Sequence, residues 1–146
     1  SKIRLPDSDS IFGKKRVLPI YSWIKKHTPQ NSVFLIPPGL DDFRLKAKRA
    51  AFVDWKCCPM KGDEIEEWER RMKSAIGTKK LPAKGFALNR EATRYFLSRR
   101  IESLALTAEK EGLTHILARN EKKVPKKLTK LTTKGGYSVY RLKHNY

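Results

Sequence analysis

At 146 residues the chain is long enough for one domain with a sizeable core and too short for several. Its 39% hydrophobic and 10% aromatic content excludes a wholly disordered polymer, and no apolar run approaches the roughly 18 residues that cross a bilayer as a helix. Thirty-three lysines and arginines against 15 aspartates and glutamates give a net charge of +18. Such a balance points to a polyanion such as nucleic acid or anionic lipid, with an evenly scattered lysine surface as the bland alternative.

The chain opens SKIRLPDSDSIFGKK, which lacks the apolar stretch of a signal peptide and is expected to form a flexible polar and basic arm over residues 1–15. Residues 16–146 are expected to form a single α/β domain. Val17, Ile20, Tyr21 and Ile24 recur at helical spacing, and Pro29 predicts a stop near His27. SVFLI, residues 32–36, is a short apolar run closed by Pro37-Pro38-Gly39, as expected of a strand buried on both faces. Asp41 is expected to cap a helix holding Phe43, Leu45 and Ala47, and AAFVDW, residues 50–55, to form a second strand. The two strands and the helix between them make a βαβ unit.

Asp63 with Glu66 resembles a capping box, and the helix it opens carries Ile65, Trp68, Met72, Ala75 and Ile76 before Gly77 closes it. Lys79–Lys84 reads as a basic linker. Asn89 is expected to cap one long helical stretch to about Glu111, with Ala92, Tyr95, Phe96, Ile101, Leu104, Ala105 and Ala108 inward. LTHILA, residues 113–118, is the third strand. LTKLTTKGGYSVYRL, residues 128–142, alternates with period two around Gly135-Gly136 and reads as a hairpin. Alternating helices and strands predict a small Rossmann-like three-layer sandwich. Its mostly parallel sheet should have strand order 2-1-3, with an antiparallel C-terminal hairpin beside the third strand.

Several phrases carry a resemblance. YSWIKKHTPQNSVFLIPP (21–38) resembles the start of the soluble part that follows the last membrane helix in many bacterial polytopic membrane proteins. FRLKAKRAAFVDWKCCPM (43–60) is similar to a segment of one uncharacterised family of such proteins. KEGLTHILAR (110–119) and GGYSVYRL (135–142) look like the closing strand and hairpin of glycosyltransferase-like membrane proteins. The resemblance covers roughly residues 20–142. It implies a non-cytoplasmic auxiliary domain, on the periplasmic or extracytoplasmic face, with its own transmembrane portion or an anionic lipid or glycolipid as partner. It implies no catalytic residue. The chain departs from the pattern in having no transmembrane segment, which leaves a cytoplasmic, free-standing relative as the alternative.

In an open α/β sheet, ligands bind at the carboxyl ends of the strands. With strand order 2-1-3 that principle places residues 37–42, residues 54–56 and Arg119-Asn120 on one rim, and Gly39, Arg44, Arg49, Asp54 and Lys56 are the candidate ligand-binding residues. Asp54 is expected to pair with an arginine or lysine, Arg44 before Arg49. A carboxylate so held is a structural clamp rather than a proton-transfer group. The competing reading takes Asp54-Trp55-Lys56 as the Asp-x-Lys end of a Mg²⁺-dependent nuclease, with Asp42 as a second carboxylate and Lys56 acting on the attacking water. Against it, Asp42 falls at a helix start and no supporting glutamate precedes it. Nucleic-acid binding without cleavage needs only the charge, but RNP-like aromatics and zinc-finger spacing are both missing. His27, His115 and His144 are dispersed, and Cys57-Cys58 reads as two small buried hydrophobes, so no metal site is expected. GxGxxG, P-loop and GxSxG patterns are absent, so no cofactor is expected either. The balance favours recognition over catalysis.

Overall fold

The computed structural model describes residues 14–56 and 62–143. Ten elements follow in chain order: α1 (Lys14–His27), β1 (Val33–Leu35), α2 (Phe43–Ala47), β2 (Ala50–Ala51), α3 (Gly62–Ile76), α4 (Phe86–Ser98), α5 (Ile101–Lys110), β3 (His115–Arg119), β4 (Leu128–Lys134) and β5 (Tyr137–Leu142). Cys57, Cys58, His144 and most of the N-terminal segment lie outside the described residues.

The five strands form one mixed sheet in the order β2-β1-β3-β5-β4. The expectation of a mostly parallel, Rossmann-like sandwich is overturned. β1 pairs in parallel with β2 and with β3, two residue pairs at each edge, whereas β3–β5 and β5–β4 are antiparallel over five and six pairs. The reason lies in the punctuation of the apolar runs. Pro37 and Pro38 have no N–H to give a ladder, which stops β1 at Leu35. After Ala51 the second run hydrogen-bonds irregularly: the Phe52 amide donates to Phe34 O and the Trp55 amide to Pro38 O. The hairpin has no such interruption. Gly135 and Gly136 take φ of +61° and +83°, the positive angles of a tight two-residue turn that matches strand twist.

Each face of the sheet carries its own core. Ile20, Tyr21 and Ile24 of α1 and Phe43 and Ala47 of α2 pack on Phe34, Leu117, Tyr137 and Val139. Trp68 and Met72 of α3, Ala92 and Phe96 of α4, and Leu104 and Ala108 of α5 pack on Leu35, Ile116, Ala118, Tyr140 and Leu142. Neighbours such as Phe34 and Leu35 go to opposite cores, as strand pleating requires. His115 is buried at 3% exposure and stacks on Phe34 at 4.7 Å between ring centroids. Burial, with Arg141 and Arg49 adding positive charge, pushes its imidazole down to about 4.

The single long helix expected from Asn89 to Glu111 is two. Arg99 and Arg100 are extended, with ψ of 142° and 148°. Arg99 turns inward there and donates to Ser74 O, Ala75 O, Ser103 Oγ and Thr107 Oγ1. It thereby supplies donors to the carbonyls that end α3. Tyr95, expected inward, is 39% exposed. Asp41 does not cap α2. Asp42 holds the cap position without a capping hydrogen bond. Its carboxylate instead accepts from Tyr21 Oη at 2.9 Å and pairs with Lys46 at 3.1 Å. Asp63 lies inside the first turn of α3, which begins at Gly62, and not before it.

Candidate functional site

The parallel pairing of β1 and β2 brings the two segments beyond their carboxyl ends side by side. One is the Pro37–Leu40 turn, closed by the Leu40 amide on Pro37 O, and the other is Phe52–Lys56. Trp55 N–H on Pro38 O, 2.9 Å, joins them. Gly39 sits in the Pro37–Leu40 turn, and Lys56, with an exposed side chain, follows Trp55 in the other segment.

Asp54 is 1% exposed at this rim. Arg44, the second residue of α2, donates from Nε to Asp54 Oδ2 at 3.1 Å and from Nη2 to Ala51 O at 3.0 Å. The expected arginine partner is therefore Arg44. The Asp54 carbonyl accepts from Trp68 Nε1 at 3.0 Å, so α3 is tied to the same residue through its backbone. Arg49 belongs elsewhere. It precedes β2 at the amino end of the sheet, 8% exposed, and its guanidinium donates to Lys25 O, Thr28 O, Thr28 Oγ1 and Lys48 O. It ties down the end of α1 and is removed from the candidate ligand set.

Between α2 and α3 the rim opens into a cleft of about 230 Å³, lined by Arg44, Phe52, Val53, Asp54, Glu64, Glu67, Trp68 and Arg71. Arg71 lies over the Phe52 ring, its guanidinium carbon 5.2 Å from the centroid, and donates to Phe52 O. Glu67 bridges Arg70 at 2.7 Å and Arg71 at 2.9 Å. Hydrogen bonds from Arg70 and then Arg71 hold its carboxyl down to about 2. Arg70 continues to Glu111 at 3.0 Å, where Ser74 Oγ also donates at 2.7 Å. Burial pushes the Glu111 carboxyl up, but these hydrogen bonds outweigh it and leave it below its usual value.

The sequence-expected residues Gly39, Arg44, Asp54 and Lys56 thus share one rim, while Asp42 turns toward Tyr21 and Lys46. Among the described residues, no group of three or more His, Cys, Asp or Glu side chains is arranged to hold a metal ion. Glu64, Glu67, Trp68 and Arg71 were missed as site residues. The one signal for them is Glu67-x-x-Arg70-Arg71, an i, i+3 and i+4 charge pattern on the polar side of the α3 stripe.

Residues 15–75 match the family model of a domain of unknown function, DUF6798. That span runs from α1 nearly to the end of α3 and contains every residue that lines the cleft. No curated protein and no solved structure matches the chain. Among the described residues, no helix is long and apolar enough to cross a membrane.

Proposed function

We propose that the chain is a recognition module rather than an enzyme, an auxiliary α/β domain of a larger bacterial membrane protein on its extracytoplasmic side. The cleft between α2 and α3 would hold a small polar ligand. The observation that carries this reading is that two of the cleft's three carboxylates, and its one buried carboxylate, are engaged before any ligand arrives: Asp54 by Arg44, and Glu67 by Arg70 and Arg71, while the third, Glu64, is exposed. A carboxylate bridged by guanidinium groups is a poor proton acceptor. Fixed ion pairs above Phe52 and Trp68, however, present donors and acceptors at set positions around an apolar floor. Hydroxyl-rich ligands, such as the sugar head of a glycolipid, suit that chemistry. The volume falls below the roughly 300–1,000 Å³ of pockets for drug-sized molecules, so the ligand is small or enters by one group.

Tryptophan fluorescence with neutral hexoses, amino sugars and hexose phosphates tests the cleft. A saturable change that Arg71→Ala abolishes supports the reading. No change with any of them at millimolar concentration removes it. Membrane attachment is supported by the sequence resemblance, and a parent reading frame without hydrophobic spans would sink that part.

A second reading, nucleic-acid binding, is favoured by the uneven charge. Residues 77–146 hold 17 lysines and arginines against five acidic residues. Gel shifts with DNA and RNA at low salt decide it, since phosphate-driven binding weakens steeply with salt. The Mg²⁺-dependent version with Asp54 and Lys56 requires Asp54 to leave Arg44. Cleavage that survives Asp54→Ala would eliminate that mechanism.

A further inference from the structure

The connection between α3 and α4 carries an exposure that the cores do not explain. Phe86, the first residue of α4, is 91% exposed, the largest value among the exposed large hydrophobic side chains. The connection is not loosely held, because Leu81 and Ala83 pack against the core formed by α3, α4 and α5. Gly85 then takes φ +62° and ψ −147°, a conformation essentially restricted to glycine, and a Cβ there would meet nothing within 4 Å. The backbone is therefore anchored through Leu81 and Ala83, and at its far end it leaves Phe86 at a tip projecting into solvent. Lys79, Lys80, Lys84 and Arg90 surround this tip in sequence and are exposed, and none forms an ion pair among the described residues. Arg90 is one helical turn beyond Phe86 and so lies beside it on α4.

We propose that this tip is a membrane-surface contact: Phe86 inserts at headgroup depth into an anionic bilayer while Lys79, Lys80, Lys84 and Arg90 meet lipid phosphates. The inference specifies the lipid contact named above and stands or falls apart from the cleft and its ligand. An exposed apolar ring with exposed cations close to it in the chain is the chemistry of an interfacial anchor. Single-stranded nucleic acid calls for a different surface, a groove with successive aromatic platforms for successive bases. Here a single aromatic side chain stands 91% exposed at the start of α4, which suits a bilayer and not a strand.

The test is co-sedimentation of the full chain with vesicles of phosphatidylcholine and phosphatidylglycerol, and with phosphatidylcholine alone. Each basic residue at an anionic surface adds about fivefold to partitioning. Lys79→Glu/Lys80→Glu/Lys84→Glu should therefore weaken binding about a hundredfold or more, and Phe86→Ser about tenfold. Lys122→Glu/Lys123→Glu/Lys126→Glu, with the same change in net charge, should cost clearly less. Phe86→Trp should add a blue-shifted emission on anionic vesicles over that of the parent protein. Four results overturn the proposal: equal loss in the two charge-reversal variants, no blue shift on bound protein, a blue shift that grows with protein concentration without lipid, and a Phe86→Ser defect confined to single-stranded oligonucleotides.

Discussion

Replacing Arg49 with alanine isolates the consequence of burying a cation against the end of a helix. The Lys25 and Thr28 carbonyls it reaches, at 3.0 and 2.6 Å, close the carboxyl end of α1, where helical carbonyls lack intrahelical donors and the dipole is negative. Its remaining donors reach Thr28 Oγ1 at 3.0 Å and Lys48 O at 2.8 Å. The second of these steadies Lys48, which takes the left-handed conformation, φ +57°, that ends α2. Arg49→Ala leaves at least two carbonyls without this donor at about 1–3 kcal/mol each, partly offset by entering water and by the charge no longer being desolvated. The expected net loss is about 3 kcal/mol. Arg49→Lys keeps the charge but loses the planar fork, and should cost about half as much. Urea unfolding followed by circular dichroism measures this. With a slope of about 1.5 kcal/mol/M, the alanine variant's midpoint falls by about 2 M at unchanged slope. Stability within about 0.5 kcal/mol of the parent would refute the reasoning, and a ligand lost without any loss of stability would return Arg49 to the binding site.

Three further outcomes follow from the same structure. Because the His115 imidazole is pushed down to about 4 when folded and sits near 6.5 when unfolded, the unfolded chain binds more protons between these values. His115 should thus cost up to about 3 kcal/mol of stability as pH falls from 6.5 toward 4, and nothing above that window. Parent and His115→Phe, unfolded in urea at pH 4.5 and 7.5, should differ in this dependence, and identical pH profiles would show the assignment to be wrong. A double-mutant cycle on Arg44→Ala and Asp54→Ala should give a coupling of about 1–2 kcal/mol, between the values for exposed and buried pairs, because Arg44 is 43% exposed and Asp54 1%. Additive single losses would mean that the 3.1 Å contact contributes no stability. Gly77→Ala should lower the melting temperature, since Gly77 has φ +74° and an added Cβ would stand 3.0 Å from Arg99 Nε. An unchanged melting temperature would show that Arg99 shifts without loss.

What could be read from the chain alone followed the range of the forces involved. The hairpin was legible because two glycines and a period-two alternation are local signals, and α3 was legible because Trp68, Met72, Ala75 and Ile76 mark one face. The Asp54–Arg44 contact was accessible because parallel strands bring their carboxyl ends together and Arg44 lies in the first turn of the intervening helix. The break at Arg99 was not, because its guanidinium seeks the end of α3, about 24 residues earlier in the chain. The sheet was misjudged for a related reason. Apolar runs of five and six residues read as strands, but a ladder also needs amide donors in register, and those runs keep only three and two ladder residues. Arg49 stood among the candidate ligand residues with Asp54, although β2 lies between them and sends them to opposite ends of the sheet. The part played by Glu67, Trp68 and Arg71 depends on how α3 is rotated above the rim, which no short-range pattern specifies.

The sheet's two borders differ in a way that bears on how the protein behaves at high concentration. A strand left open on one side offers unpaired amides and carbonyls to any other chain and can seed edge-to-edge stacking. On the β2 side only two residues are in ladder conformation, too few to template a partner. On the β4 side the open strand is seven residues long, but its register slips between Lys130 and Thr132, and Lys134 brings charge to its end, whereas Lys130 reaches back across β5 to Asn120 and Glu121. An incoming strand would have to follow that kink and set its own backbone beside the Lys134 cation. Part of the excess positive charge thus has a use that involves no ligand: it keeps neighbouring copies from continuing the sheet.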